Sequence, residues 1–212
     1  MGEPDAYKID EEFYFDIVYL LVEGYLYKLP KRTLIDNSET FRDMFSVPQS
    51  DAVPAEGSSK DLPIRLDQIE RVDFVPFLKI LFPLRQAHGL RRASEWISVL
   101  KLASLWMCDG VREEAIAVLK EHYAKDHIRS LEISMKFDVK EWMLSSLGSL
   151  AIREEPIEAA DAEVVGIECA LRICKLREKG MTDMIRGTTF SSFQRRPFDY
   201  STTIKSIFPE CA

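Results

Sequence analysis

The sequence predicts an α+β protein, and two observations carry that prediction. Residues 13–22 are rich in aromatic and β-branched side chains and are followed by Glu23-Gly24 and a second such run at residues 25–29, the pattern of two strands joined by a tight turn. From Val72 onward the period changes: Phe74, Phe77, Leu78 and Leu81 stand at i, i+3, i+4 and i+7, the spacing of an amphipathic helix. The expected architecture is a small mixed sheet with a β-hairpin and helical hairpins, followed by an all-helical extension.

Taken in order, the hairpin ends at Pro30, which cannot donate to a ladder, and Asp36-Asn37-Ser38 offers N-caps for a short helix through Phe41, Met44 and Phe45. Residues 46–61 hold Pro48, Pro54, Gly57 and four serines with almost no large apolar side chain, which predicts a mobile surface loop. A short strand at residues 63–66 follows. Beyond the helix that starts near Val72 and a loop over residues 83–92, Trp96, Val99, Leu100, Ala103 and Met107 repeat the helical spacing. Asp109-Gly110 is expected to separate that helix from the next, over residues 111–123. Asp126 is placed to cap a helix with Ile128, Leu131 and Met135, and Asp138 with Glu141 has the form of a capping box for Val139, Trp142 and Leu147. Pro156 suits the first turn of a further helix, and residues 166–179 carry apolar side chains on two sides, with Gly180 as a stop. Residues 181–212 are polar yet contain Phe190, Phe193, Phe198, Tyr200, Ile204 and Phe208; they read either as a disordered tail or as an extended segment that docks on the helical half or on a partner.

Composition narrows the function classes. At 212 residues, 46% hydrophobic and 30% charged, the chain can bury a core without disulfides or metals. It carries 28 Lys plus Arg against 35 Asp plus Glu, a net charge of −7, which disfavours direct binding to nucleic acid. No run reaches the roughly 18 apolar residues of a membrane-spanning helix. Met1-Gly2-Glu3-Pro4-Asp5 lacks the basic start and apolar core of a secretory signal, Ala6 replaces the Ser or Thr of a myristoylation site, and Cys211 is misplaced for prenylation. Cys108, Cys169, Cys174 and Cys211 are few and irregularly spaced, which predicts reduced thiols and an intracellular protein of the cytoplasm or nucleus.

No catalytic or cofactor motif emerges. None of the nine glycines stands in a phosphate-binding loop or a dinucleotide fingerprint. His122 and His127 are five apart without a nearby cysteine, which argues against zinc, and Cys169 and Cys174 point to different sides of a helix as small core residues. His88, His122 and His127 lie in a loop or at helix ends, not in a nucleophilic triad. Glu154, Glu155 and Glu158 flank Pro156, where acids complement a helix dipole. Arg91-Arg92 and Arg195-Arg196 read as solvated surface, and Trp96, Trp106 and Trp142 as core anchors. Accordingly no catalytic residue, cofactor or metal is expected.

An ordered series of motifs nevertheless runs along the chain: Asp16-Ile17-Val18; the turn Val22-Glu23-Gly24; Tyr27-Lys28-Leu29-Pro30-Lys31-Arg32-Thr33-Leu34; and Ser38-Glu39-Thr40-Phe41 through Phe45. It continues with Ile64-Arg65-Leu66, residues 74–82, Leu102 to Trp106 with Cys108-Asp109-Gly110-Val111, Phe137 to Trp142, and Gly166-Ile167-Glu168. This series resembles the BTB/POZ domain, and most closely the BTB proteins expanded in mushroom-forming fungi, over residues 13–179. The resemblance implies a flexible segment at residues 1–12, a BTB core at 13–123, a helical extension packed on it at 124–180 and a tail at 181–212. It implies a non-enzymatic protein-interaction module, a homodimer acting as an adaptor or scaffold. In transcription-factor-type members of the family an Asp and a basic residue form a charged pocket at the dimer interface, and the matching positions are Asp16 and Lys31; Pro30 stands where the family has His. Some members bind a cullin to form ubiquitin ligases, and residues 83–92 show no clear hydrophobic-x-Glu motif for that role. The aromatic residues Phe13, Tyr14 and Phe15 are candidate interface anchors, with the intramolecular core as their alternative place. A second class with a similar plan is the glutathione-transferase-like enzymes, whose strand-preceding proline Leu62-Pro63-Ile64 resembles; Leu66-Asp67-Gln68-Ile69 stands where that family has Glu-Ser.

Overall fold

The structure, a computed structural model, describes residues 8–47, 55–83, 92–188 and 200–211; the side chains of residues 183–188 are not among those described. The chain is mixed α+β, with a three-stranded sheet and, among the described residues, ten α-helices. It divides into two units whose boundary falls between Ala117 and Val118.

In the first unit, β1 (Ile17–Val22) is central, antiparallel to β2 (Tyr25–Pro30) and parallel to the two-residue β3 (Ile64–Arg65). Glu23 and Gly24 both have positive φ, as a two-residue hairpin that follows the twist of its strands requires. Val18, Leu20 and Val22 turn one face of β1 into the core. The predicted strand is shorter than residues 13–22 because Asp10 intervenes: its side chain accepts the N–H groups of Glu12 and Phe13 and its carbonyl accepts that of Tyr14, making a turn where the strand was expected.

Two helices, α1 (Lys31–Asn37) and α2 (Glu39–Ser46), replace the single predicted one. Ser38 divides them by staying extended, with its hydroxyl oxygen accepting the Phe41 N–H as an N-cap and its hydroxyl donating to the Trp106 carbonyl. Residues 55–61 pack on the sheet, where a mobile loop was expected. Gly57 donates to the Leu62 carbonyl and accepts the Tyr19 N–H, and a Cβ there would stand 2.9 Å from both Ile64 and Val18. Residues 48–54 of that loop, and 84–91 of the later one, lie outside the described residues.

The aromatic centre of this unit is Trp106, whose ring lies 5.1 Å from Phe41, 5.1 Å from Phe77 and 6.0 Å from Phe74. Phe74 and Phe77 come from α3 (Arg71–Leu81); Trp106 closes α4 (Ala93–Leu105). Asp73 is buried between these helices, and its carboxylate accepts from Ser98 and from the Lys101 ammonium, so the charge enters the interior already paired. The break after α4 is made by Met107, at φ 49°, whereas Asp109-Gly110 lies within α5 (Asp109–His122).

The second unit contains α6 (His127–Lys136), α7 (Lys140–Ile152), α8 (Ala159–Val165), α9 (Ile167–Thr188), α10 (Tyr200–Ile207) and a 3-10 turn at Pro209–Cys211. Asp126 caps α6 as predicted, accepting the Arg129 N–H at 3.0 Å. Asp138 does not cap α7; at φ 50° it terminates α6, its N–H on the Met135 carbonyl and that of Val139 on the Ser134 carbonyl. Pro156 precedes α8, whose N-cap is Glu158 in a capping box with Asp161. The α9 helix continues through Gly180, which is buried under the Tyr200 ring; a Cβ there would stand 2.7 Å from it. Residues 200–211, expected to be disordered or extended, form a helix and a turn packed on α7 and α9; residues 189–199 and 212 lie outside the described residues.

Replacing Trp106 with Ala removes the common partner of three phenylalanines. The expected loss, read from urea unfolding, is about 3–5 kcal/mol.

Candidate functional site

The proposed interface residues begin at the turn that Asp10 builds. Phe13, Tyr14 and Phe15 follow one another there with exposures of 69%, 70% and 56%, so the intramolecular core does not take them up. The Asp10 hydrogen bonds restrain the backbone that carries the first two, which lowers the entropy lost when these rings are covered. Surface of this size and apolarity in consecutive residues is the kind that partner contacts bury.

Asp16 and Lys31, fifteen positions apart, are brought together by the hairpin register, which sets Ile17 opposite Pro30. The Lys31 N–H donates to the Asp16 carbonyl at 2.8 Å, and its ammonium stands 3.5 Å from the Asp16 carboxylate. Lys31 is the first residue of α1, where a cation opposes the helix dipole; the carboxylate beside it offsets that cost. The ammonium also lies 4.7 Å from the centroid of Phe45, which stacks at 6.0 Å on the buried Phe41. A charged pair at the surface is thereby joined to the aromatic core through one ring. The Lys31 side chain is 28% exposed and that of Asp16 is 74% exposed, so the carboxylate can still exchange its partner.

Phe45 and Asp10 are the participants that motif reading did not assign. Phe45 had a signal, since it lies four residues after Phe41 on one helix face, but its cation partner depends on the hairpin bringing Lys31 over it. Asp10 had the weaker signal of a turn-forming residue ahead of an aromatic run. Beyond the predicted residues, Tyr25 and Leu26 on the edge strand β2 are also exposed, at 55% and 46%.

Among the described residues no three His, Cys, Asp or Glu side chains converge as a metal-binding group. Cys108, Cys169 and Cys211 are buried, Cys174 is half-buried and all four are free; burial pushes the Cys169 thiol up to about 11. His122 is exposed at the end of α5, His127 is half-buried at the start of α6, and His88 lies outside the described residues. Trp106 and Trp142 are buried and Trp96 is half-buried. The second unit has an open cleft of about 510 Å³ lined by Lys125, His127, Arg153 and Asp161 among others. Its Arg153 is already bound to the Asp161 carboxylate and to the carbonyls of Glu155 and Pro156.

No protein-family model matches the sequence, and a search of curated proteins returns no match. Among the described residues no helix is long and apolar enough to cross a membrane.

Two outcomes follow from these geometries. Asp16→Asn, which removes an exposed charge partner, is expected to change the free energy of unfolding by less than about 1 kcal/mol in urea titrations. Asp161 behaves differently with pH: burial works to raise its pKa, but the Arg153 hydrogen bond, the Glu158 N–H and the Arg153 charge together hold it below its ordinary 3.8. A folded value below the unfolded one stabilises the fold above the unfolded pKa and ceases to do so as pH falls through the folded one. Thermal melts of Arg153→Gln should therefore lose less stability than wild type between about pH 5 and about pH 2.

Proposed function

We propose that the chain is a non-catalytic protein-interaction module of the BTB/POZ kind that associates with a second copy of itself through its N-terminal half. The observation that carries this reading is the run Phe13, Tyr14 and Phe15, more than half exposed and presented by a hydrogen-bonded turn beside the Asp16–Lys31 pair. Burying these rings against a two-fold-related copy would remove apolar area from water, and the neighbouring charge pair would supply orientation. The motif series from Asp16 to Trp142 supports the BTB/POZ assignment, and the mixed sheet followed by helices is compatible with it. In this reading the module is an adaptor or scaffold, with a cullin among the partners to be tested.

Sedimentation equilibrium of the full chain decides the central claim. Wild type is expected to be a dimer at micromolar concentration, and Tyr14→Ala to weaken association by about 1–3 kcal/mol while its far-UV circular dichroism stays that of wild type. A wild-type chain that stays monomeric to about 100 μM, where a free energy of roughly −5 kcal/mol would already pair it, removes the self-association reading.

A further inference from the structure

The segment formed by α10 and the turn after it packs on α7 and α9 within the second unit. With eight residues, α10 is too short to persist alone in water, so its helical form depends on the surface beneath it. Three features of that surface fit the segment. Ile204, Phe208 and Cys211 lie with at most 3% exposure in the same core cluster as Met143 and Leu147 of α7 and Ile173 of α9. Gly180 leaves open the volume that the Tyr200 ring takes. Arg172 closes the other end.

The Arg172 guanidinium donates through Nε, at 3.0 Å, and through Nη2 to the Ile207 carbonyl, pairs with the Glu210 carboxylate at 2.9 Å and lies 4.0 Å from the Phe208 ring centroid. The Ile207 carbonyl belongs to the last turn of α10, where carbonyls lack helical partners. Arg172 thus recognises a helix C-terminus, the aromatic residue after it and an acid two positions further on. The opposite side of the segment, Ser201, Thr202, Lys205 and Ser206, is exposed. This is the division of labour seen when an amphipathic helix lies in a groove.

We propose that α7 and α9 form a helix-binding groove, that residues 200–211 occupy it as a removable resident, and that the partner it fits is a short amphipathic helix. The pattern required of that partner is an aliphatic residue, a Phe four positions later and an acidic residue two beyond the Phe. The groove lies wholly in the second unit and does not depend on the self-association assigned to the first.

A fluorescent peptide of residues 200–212 tests the groove by anisotropy. In the full-length Phe208→Asp variant the resident cannot seat, and the peptide is expected to bind at least ten-fold more tightly than to wild type, where the tethered segment competes at high effective concentration. Adding Arg172→Gln to that variant should weaken peptide binding by ten-fold or more. Hydrogen exchange on the wild-type chain provides a measurement that needs no variant: the amides of α10 should exchange at least ten-fold faster than those at the centres of α7 and α9, because the segment leaves without the unit unfolding. A folded Phe208→Asp variant that ignores the peptide, equal binding to variant and wild type, or α10 amides as slow as those of α7 would each overturn the proposal.

Discussion

The indole of Trp106 is touched by Phe41 from α2 and by Phe74 and Phe77 from α3, and its carbonyl takes the hydroxyl of Ser38. Most other features of the first unit are arranged around that contact. Ser38 must stay extended to reach the carbonyl, so the chain between Lys31 and Ser46 folds as two helices instead of one. Tyr27 meets Phe74 edge-on at 4.9 Å, which sets β2 against the same cluster, and Phe45 continues the aromatic stack outward to Lys31. Close packing of large rings leaves little slack, so a displacement at Trp106 would be felt at the Asp16–Lys31 pair.

Exposure separates the two kinds of surface on this molecule. The aromatic turn at residues 13–15 is apolar, ordered and uncovered, whereas the groove between α7 and α9 is apolar, ordered and filled. Arg172 meets a helix end, a ring and a carboxylate in the second, whereas the first offers a row of aromatic side chains. The first surface is the one proposed above to pair matching copies, and the second is the one proposed to discriminate among helical sequences.

Much of the element order was legible in sequence, and the departures have local causes. The hairpin, the helical periods of α3 and α4 and the Asp126 cap were visible because each is set by residues close together in the chain. Asp138 looked like the start of a helix and proved to be the end of one, since the same side chain that caps also tolerates positive φ. Gly180 looked like a stop because the Tyr200 ring that requires it comes twenty positions later. Of the candidate site, Asp16 and Lys31 were legible through the motif series, while their contact with Phe45 was not, because it depends on where a hairpin and a helix meet.

What the sequence by itself determined is the class of most segments between the hairpin and α9: composition, hydrophobic period and turn residues act over a few positions and need no distant partner to be read. Tertiary structure decided the rest. Whether Phe13 to Phe15 would be core or surface, whether Cys169 and Asp73 would be buried and whether residues 200–211 would fold at all depended on partners tens of residues away. Burial and pairing are properties of the packed chain, and their free energy arises only when segments that are separate in sequence exclude water together.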